Sequence, residues 1–350
     1  MISDLRTTFA STHPDVMLLE ATDRDGVEAY LLSRCLAIPA DGPARVERAG
    51  EGNMNLTLRV ALRGRRFILK QGRPWVEKYD HIAAPWGRTL VEAAFYRAVE
   101  GVPAVGGRLP RLLDVDAQNH VLVLEDLGMC GDFTSMYQGQ SISDGALRDL
   151  LAWLSALGKV RAPMLTEDLA NRGMRELNHE HIFALPLRDG NDLDLDGITP
   201  GLSREAEQLK NDAAYVRHVE ELGDCYLADG PTLVHGDYFP GSWMRTSAGV
   251  RIIDPEFCFM GAPEFDYGVL LAHCVLAGAD QRHFIEVLGA ASVEGLEHDL
   301  LLGFAGVELM RRLIGVAQLP LRADLDRKRR LLVMSRSMVL EPQRGVACGA

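Results

Sequence analysis

The sequence predicts an α+β fold of two lobes, a small antiparallel-sheet lobe followed by a larger, mainly helical one. Three observations predict it. Residues 56–63 carry a two-residue apolar repeat; the chain beyond Glu125 carries long apolar patterns of helical period; and short strand signals return only at 232–234 and 250–253. The boundary is expected at Glu125, with residues 1–125 in the first lobe and 126–350 in the second.

The first lobe opens with a helical segment, Val27–Ala37, ending in the breaker-rich stretch 39–43. Leu56, Leu58, Val60 and Leu62 then alternate with Thr57, Arg59, Ala61 and Arg63, the pattern of a strand with one buried face. Gly64 marks a tight turn and Phe67–Lys70 the returning strand. Thr89–Val99 reads as a helix that carries Glu92. Arg111–Val115 and His120–Glu125 read as two further strands, joined by the turn-prone Asp116–Asn119. In the second lobe Leu147, Leu150, Leu151, Leu154 and Leu157 recur at helical spacing. Asp189–Pro200 reads as a surface loop, Arg204–Ala228 as one long amphipathic segment, and the chain from Phe265 onward as helical.

Composition narrows the function. The 350 residues are 47% hydrophobic and 25% charged, ordinary for a soluble globular protein. A net charge of −12 argues against a nucleic-acid or acidic-membrane footprint, which needs clustered Lys and Arg. The most basic stretch, Arg322–Arg330, interleaves Asp324 and Asp326 and reads as a solvated helical face. The 6 cysteines form no CxxC pair, which fits a reducing compartment. Residues 1–15 lack the pattern of a signal peptide, and no apolar run approaches the roughly 20 residues needed to cross a bilayer. A cytoplasmic location is expected.

The chemistry concentrates in Leu233–Trp243 (LVHGDYFPGSW) and Arg251–Phe257 (RIIDPEF). Asp237, after His235 and Gly236 at the end of an apolar strand, sits where a sharp turn can aim its carboxylate into a cleft. Asp254 and Glu256 end a second strand. Two residues apart on extended chain, they would point to one side and converge on one hard cation. A carboxylate to accept a hydroxyl proton beside a magnesium pair is what phosphoryl transfer requires. The first lobe supplies the complement. Gly50–Asn55 lies directly before a strand, so its backbone amides could close over phosphates. Lys70 could reach the phosphates of ATP, and Glu92 could pair with it. No Walker motif is present. The pair His179 and His181 lacks the spacing of helical metal ligands.

These segments resemble the aminoglycoside phosphotransferase and choline kinase superfamily, of protein-kinase-like fold, and within it the methylthioribose kinases. His235–Ser242 is similar to that family's HGDxxxGS segment, Asp254–Gly261 to its DPEFxFxG segment, and Gly52–Leu56 to its GNxN loop. Gly306–Gly315 resembles a helix whose twin arginines face the substrate site. The resemblance implies that Asp237 orients and deprotonates a sugar hydroxyl and that Asp254, Glu256 and Ser242 bind Mg2+. Ser242 stands where most of the superfamily has a metal-binding Asn. It implies that Gly52, Asn53, Asn55, Lys70 and Glu92 serve ATP binding, with the backbone of Glu125 and Leu127 at the adenine. Arg311 and Arg312 would neutralise charge near the transferred group or its acceptor. A homodimer is implied as well. Trp75 and Trp86 flank a region that forms a loop over the substrate in that family, ordinary packing being the alternative. The resulting expectation is an ATP- and Mg2+-dependent kinase acting on a small sugar-like substrate, 5-methylthioribose or a related 5-deoxypentose. An amino sugar, antibiotic or amino alcohol as acceptor, and a nucleotide-binding regulator without turnover, are the rivals.

Overall fold

The alternating apolar residues of 56–62 face the core of a five-stranded antiparallel sheet in the computed structural model of the protein, which describes residues 5–50, 54–161, 169–290 and 295–345. The architecture is α+β, and the chain divides into two units, Met1–Met129 and Cys130–Ala350. Among the described residues no helix is long and apolar enough to cross a membrane.

In chain order the first unit contains α1 (Leu5–Thr12), α2 (Arg24–Ser33), β1 (Arg45–Arg48), β2 (Leu56–Leu62), β3 (Arg65–Gln71) and the short hairpin β4 (Trp75–Val76) and β5 (Tyr79–Ala83). Then come α3 (Arg88–Glu100), α4 (Pro103–Gly106), β6 (Leu112–Asp116) and β7 (Val121–Glu125). The sheet order is β1-β2-β3-β7-β6, every pair antiparallel. Leu56, Leu58, Val60 and Leu62 meet Val27, Tyr30 and Leu31 of α2 in one core. Burying a side chain of this kind is worth about 1.5–3 kcal/mol, so the two-residue repeat decides which face the helix covers.

Helix α1 lies ahead of the first helical segment expected, and α2 differs from that segment's limits, Val27–Ala37. It starts at Arg24, because the Asp23 carboxylate caps the Gly26 N–H, and it stops at Ser33, before Cys35 takes a positive φ of 56°. Strand β1 escaped notice because Arg45–Arg48 is an edge strand with no buried residue to make a pattern.

The second unit contains β8 (Gly131–Asp132), α5 (Asp144–Leu157), α6 (Arg172–His179), α7 (Leu195–Ile198), α8 (Leu202–Lys210) and α9 (Ala213–Leu227). After these come β9 (Thr232–Val234), β10 (Trp243–Thr246), β11 (Gly249–Ile252) and β12 (Phe259–Gly261). The chain closes with α10 (Glu264–Leu276), α11 (Gln281–Ala290), α12 (His298–Ile314), α13 (Leu325–Leu340) and α14 (Pro342–Gly345). The strands form two small sheets, β11-β10-β8 and β12-β9. Helices α10 and α12 are the core, and α12 is buried from Leu301 to Ile314. They approach closely at Gly268, where a Cβ would stand 2.8 Å from the Leu301 carbonyl oxygen.

Three expectations for this unit are corrected. Arg204–Ala228 is two helices, because Asp212 turns its carboxylate onto the amides of Ala214 and Tyr215 and starts α9 afresh. The loop 189–200 contains the single turn α7, capped by Asp194. The basic stretch 322–330 is not simply a solvated face. Lys328 is buried with its ammonium 2.7 Å from Thr199 Oγ1, Arg327 donates to the Leu276 carbonyl, and Arg329 pairs with Glu205 at 3.0 Å.

Candidate active site

In the first unit β3 presents Lys70 between Thr57 and Leu122 on the neighbouring strands. Its ammonium lies 2.6 Å from Glu92 Oε2 on α3, with the side chains 4% and 0% exposed. Two opposite charges this deep hold each other in place, because burial makes an ion costly without a counter-ion. Of the glycine segment, Gly52 and Asn53 lie outside the described residues, while Asn55 is buried. The segment's end is held by a residue that sequence reasoning missed. The buried Arg88 guanidinium donates to the carbonyls of Met54, Arg73, Trp75 and Pro85. At the end of β7 the Glu125 N–H is committed to the Arg111 carbonyl at 2.9 Å. Beyond it Asp126 caps the Gly128 N–H and pairs with Arg59, which fixes the backbone on either side of Leu127. Both tryptophans pack within this unit. Trp75 is buried against Phe9, and Trp86 stacks on His120 with ring centroids 3.9 Å apart.

In the second unit the turn after β9 is built around a glycine that nothing else can replace. Gly236 has φ 81°, and a Cβ there would stand 2.0 Å from the Phe257 carbonyl oxygen. The turn is tied from three sides. The Asp266 carboxylate accepts from the His235 and Gly236 amides at 2.6 and 3.0 Å, and Asn178 donates to the Gly236 carbonyl. His235 Nε2 meets the Ile253 carbonyl at 3.0 Å, and its Nδ1 meets the Asp237 N–H at 3.3 Å. A carbonyl only accepts and an amide only donates, so the proton sits on Nε2. Ser242 is buried and donates its hydroxyl to the Asp237 carbonyl at 3.1 Å.

The geometry at Asp254 corrects the expectation of extended chain. Asp254 adopts a left-handed conformation, φ 61° and ψ 51°, and Pro255–Phe257 is a single 3-10 turn. Asp254 and Glu256 therefore stand on a turn and not on an alternating strand. Asn171 holds the turn by donating to the carbonyls of Glu256 and Cys258, both at 2.9 Å. Among the described residues no group of three or more His, Cys, Asp or Glu is arranged as a metal site. The donors present, two carboxylates and a hydroxyl, are all oxygen. That suits Mg2+, which is commonly held by one or two carboxylates together with phosphates and water.

Arg311 and Arg312 both reach Asp237, although neighbouring helical positions diverge by about 100°. Their Nη2 atoms lie 3.6 and 3.7 Å from the same Asp237 Oδ1. Those distances are too long for hydrogen bonds, so the carboxylate is stabilised without its lone pairs being consumed. Burial pushes the Asp237 carboxyl above its ordinary range, Arg312 and Arg311 pull it back, and Glu308 and Glu256 push it up again. A raised pKa suits a general base working near neutrality.

Glu308 was not found from sequence. It lies one turn before the arginines, within 2.7 Å of both Nε atoms, and also accepts from His273 Nε2 at 3.0 Å. Burial alone would raise its carboxyl; Arg311, Arg312 and His273 overcome that and hold it well below the usual range. Burial pushes His273 down to about 4, so it is neutral, and Tyr137 Oη lies 2.7 Å from its Nδ1. The signal that could have found these residues is an ionisable side chain interrupting an apolar helical run, as at Asp266, His273 and Glu308. Of the two histidines set aside as ligands, His179 stacks on Phe183 and His181 is pushed down by burial and by the Arg311 charge.

Residues 45–299 match the APH phosphotransferase enzyme family. The chain belongs to that family. It is a phosphotransferase acting on hydroxyl groups. Over 351 residues it is 26% identical to the methylthioribose kinase of Exiguobacterium sibiricum, covering 87% of each chain. It is 27% identical over 323 residues to the methylthioribose kinase of Bacillus velezensis, covering 79% of each. Among solved structures it resembles a choline/ethanolamine kinase family protein from Mesorhizobium loti, with TM-score 0.51 and 17% identity over 91% of this chain and 98% of the other. It also resembles LicA in complex with AMP, with TM-score 0.53 and 12% identity over 91% of this chain and 100% of the other. These structural likenesses establish the kinase-like α+β fold.

Proposed function

We propose that this phosphotransferase is an ATP- and Mg2+-dependent cytoplasmic sugar kinase. It would transfer the γ-phosphoryl group to the anomeric hydroxyl of 5-methylthioribose or a related 5-deoxypentose. The observation that carries the acceptor class is the pair of guanidiniums beside the Asp237 carboxylate. Arg311 and Arg312 balance Asp237 and Glu308, so this cluster has no surplus negative charge with which to attract a cationic amino sugar or amino alcohol. A neutral polyol fits it, and the curated relatives that share most of the chain are named for a sugar acceptor.

In this reading Asp237 orients the acceptor hydroxyl and takes its proton. The arginines offset the charge that develops during transfer. Asp254 and Glu256, with Ser242, hold the magnesium ion, which when bound neutralises phosphate charge. Lys70, positioned by Glu92, contacts ATP phosphates together with Gly52, Asn53 and Asn55, and the backbone at Glu125 and Leu127 holds the adenine. The experiment is ADP release measured against 5-methylthioribose, 5-deoxyribose, ribose, choline and an aminoglycoside. Turnover on a 5-deoxypentose and none on the cations is expected. Preferential turnover of choline or the aminoglycoside would reverse the acceptor assignment.

A further inference from the structure

Glu308 touches the two arginines unequally. Its Oε1 accepts a hydrogen bond from Arg312 Nε at 2.7 Å and one from His273 Nε2. Its Oε2 lies as close to Arg311 Nε, 2.7 Å, yet the N–H is not aimed at it and neither atom makes a hydrogen bond. Arg312 is secured further, with Nη1 3.3 Å from the Ala317 carbonyl oxygen and its guanidinium carbon 5.0 Å from the centre of the Phe239 ring. Behind Glu308 the chain of donors has one direction. Glu308 can only accept, so His273 carries its proton on Nε2, and its Nδ1 accepts the Tyr137 hydroxyl hydrogen. The charge balance runs the same way. Burial lowers the pKa of both guanidiniums; Glu308 and Asp237 outweigh it at Arg312, whereas Arg311 stays lowered, Arg312's own charge adding to burial.

We propose that the two arginines of α12 divide the work. Arg312 is a positioning residue, locked by Glu308, His273, Tyr137, Phe239 and the Ala317 carbonyl, and it fixes the Asp237 carboxylate. Arg311 is held more loosely, facing Glu308 Oε2 without an aimed N–H, and it is the arginine that turns onto the acceptor. The division deepens the sugar-kinase reading and rests on it for the acceptor's identity, but not for the geometry.

The two assignments have different kinetic signatures. A residue that binds the acceptor raises its KM, whereas one that holds the base in place lowers kcat. With 5-methylthioribose as acceptor, Arg311→Lys is expected to raise KM about tenfold with kcat within a few-fold, as loss of a planar two-pronged contact would. Arg312→Lys is expected to lower kcat by up to about 10²-fold at nearly constant KM, the scale of a misplaced catalytic group. Glu308→Gln should follow Arg312→Lys, and Tyr137→Phe should follow it more weakly. Equal KM effects from the two arginines, or a Glu308→Gln variant that raises KM as Arg311→Lys does, would overturn the proposal.

A second measurement needs no turnover. In protein labelled at arginine 15Nε, the wild type should show a solvent-protected Nε–H that is lost in Arg312→Lys and retained in Arg311→Lys. If the wild type phosphorylates none of the sugars, the acceptor reading fails and this spectrum decides the division by itself. Equal protection of both arginines, or of neither, refutes it.

Discussion

Each unit of the molecule buries charge, and the two do it differently. In the first, Lys70 and Glu92 meet at contact distance, 2.6 Å, with both side chains almost fully buried. In the second, two cations and two anions share partners, and Asp237 is kept 3.6 and 3.7 Å from the guanidiniums that face it, a quarter of its side chain open to solvent. The difference teaches what each cluster is suited to. A pair closed at contact distance fixes a geometry. A carboxylate attracted but not bonded keeps its lone pairs for an incoming hydroxyl.

That contrast can be broken by substitution. The largest effect should come from Asp237→Ala, which is expected to cut ADP release by about 10²- to 10⁴-fold. Nucleotide binding, followed by titration, should stay near wild type, and the urea midpoint should fall less than in Glu92→Ala, because Glu308 still touches both arginines although one positive charge is left in surplus. A variant that loses stability as heavily as activity would erase the distinction between the clusters.

Glu92→Ala should show the opposite profile. It removes the carboxylate 2.6 Å from a buried ammonium and is expected to cost about 3–5 kcal/mol of stability in chemical denaturation. Replacing both partners, Lys70→Met with Glu92→Leu, should restore most of that stability while ADP release stays low. Recovery of turnover along with stability would show the pair to be structural only.

Asp266→Asn sharpens the second half of the comparison. An amide presents a hydrogen-bond donor to one of the two backbone amides that the carboxylate now accepts. The turn that carries Asp237 should shift, and a displacement of about 1 Å can lower kcat by about 10²-fold. Unchanged kcat would mean that Gly236 packing alone holds the turn.

The smallest effect is a pH dependence. His273 is pushed from 6.5 down to about 4 by burial. Between those values the unfolded chain binds a proton that the folded protein refuses, so stability falls as pH drops through this window. The group's share is on the order of 3 kcal/mol. In His273→Gln the urea midpoint should therefore change less between pH 7 and pH 4.5 than in the wild type. Parallel curves would place the acid sensitivity elsewhere.

Much of this was legible in the chain. Strand β2 was read from its alternation, because one buried face imposes period two, and α3 and α5 followed from their apolar spacing. The turn bearing Asp237 was legible because a strand end and a glycine leave local marks, whereas Asp254 was expected on extended chain and stands at a turn. Other features carried no such mark. Edge strand β1 buries no residue, and the break at Asp212 was hidden by amphipathic spacing on both sides of it.

The sequence by itself determined the local periods, the caps and the set of acidic and basic residues available for chemistry. Only the tertiary structure decided which of them share a partner. Tyr137, His273, Asp237 and the α12 residues Glu308 and Arg312 come from four separate segments, and their contacts between segments form where packing removes the water that would otherwise satisfy them. The left-handed backbone at Asp254 is of the same kind, since it is held by donors from Asn171, a residue distant in the chain. Side-chain periodicity reports which face is buried; the identity of the buried partner is a long-range property.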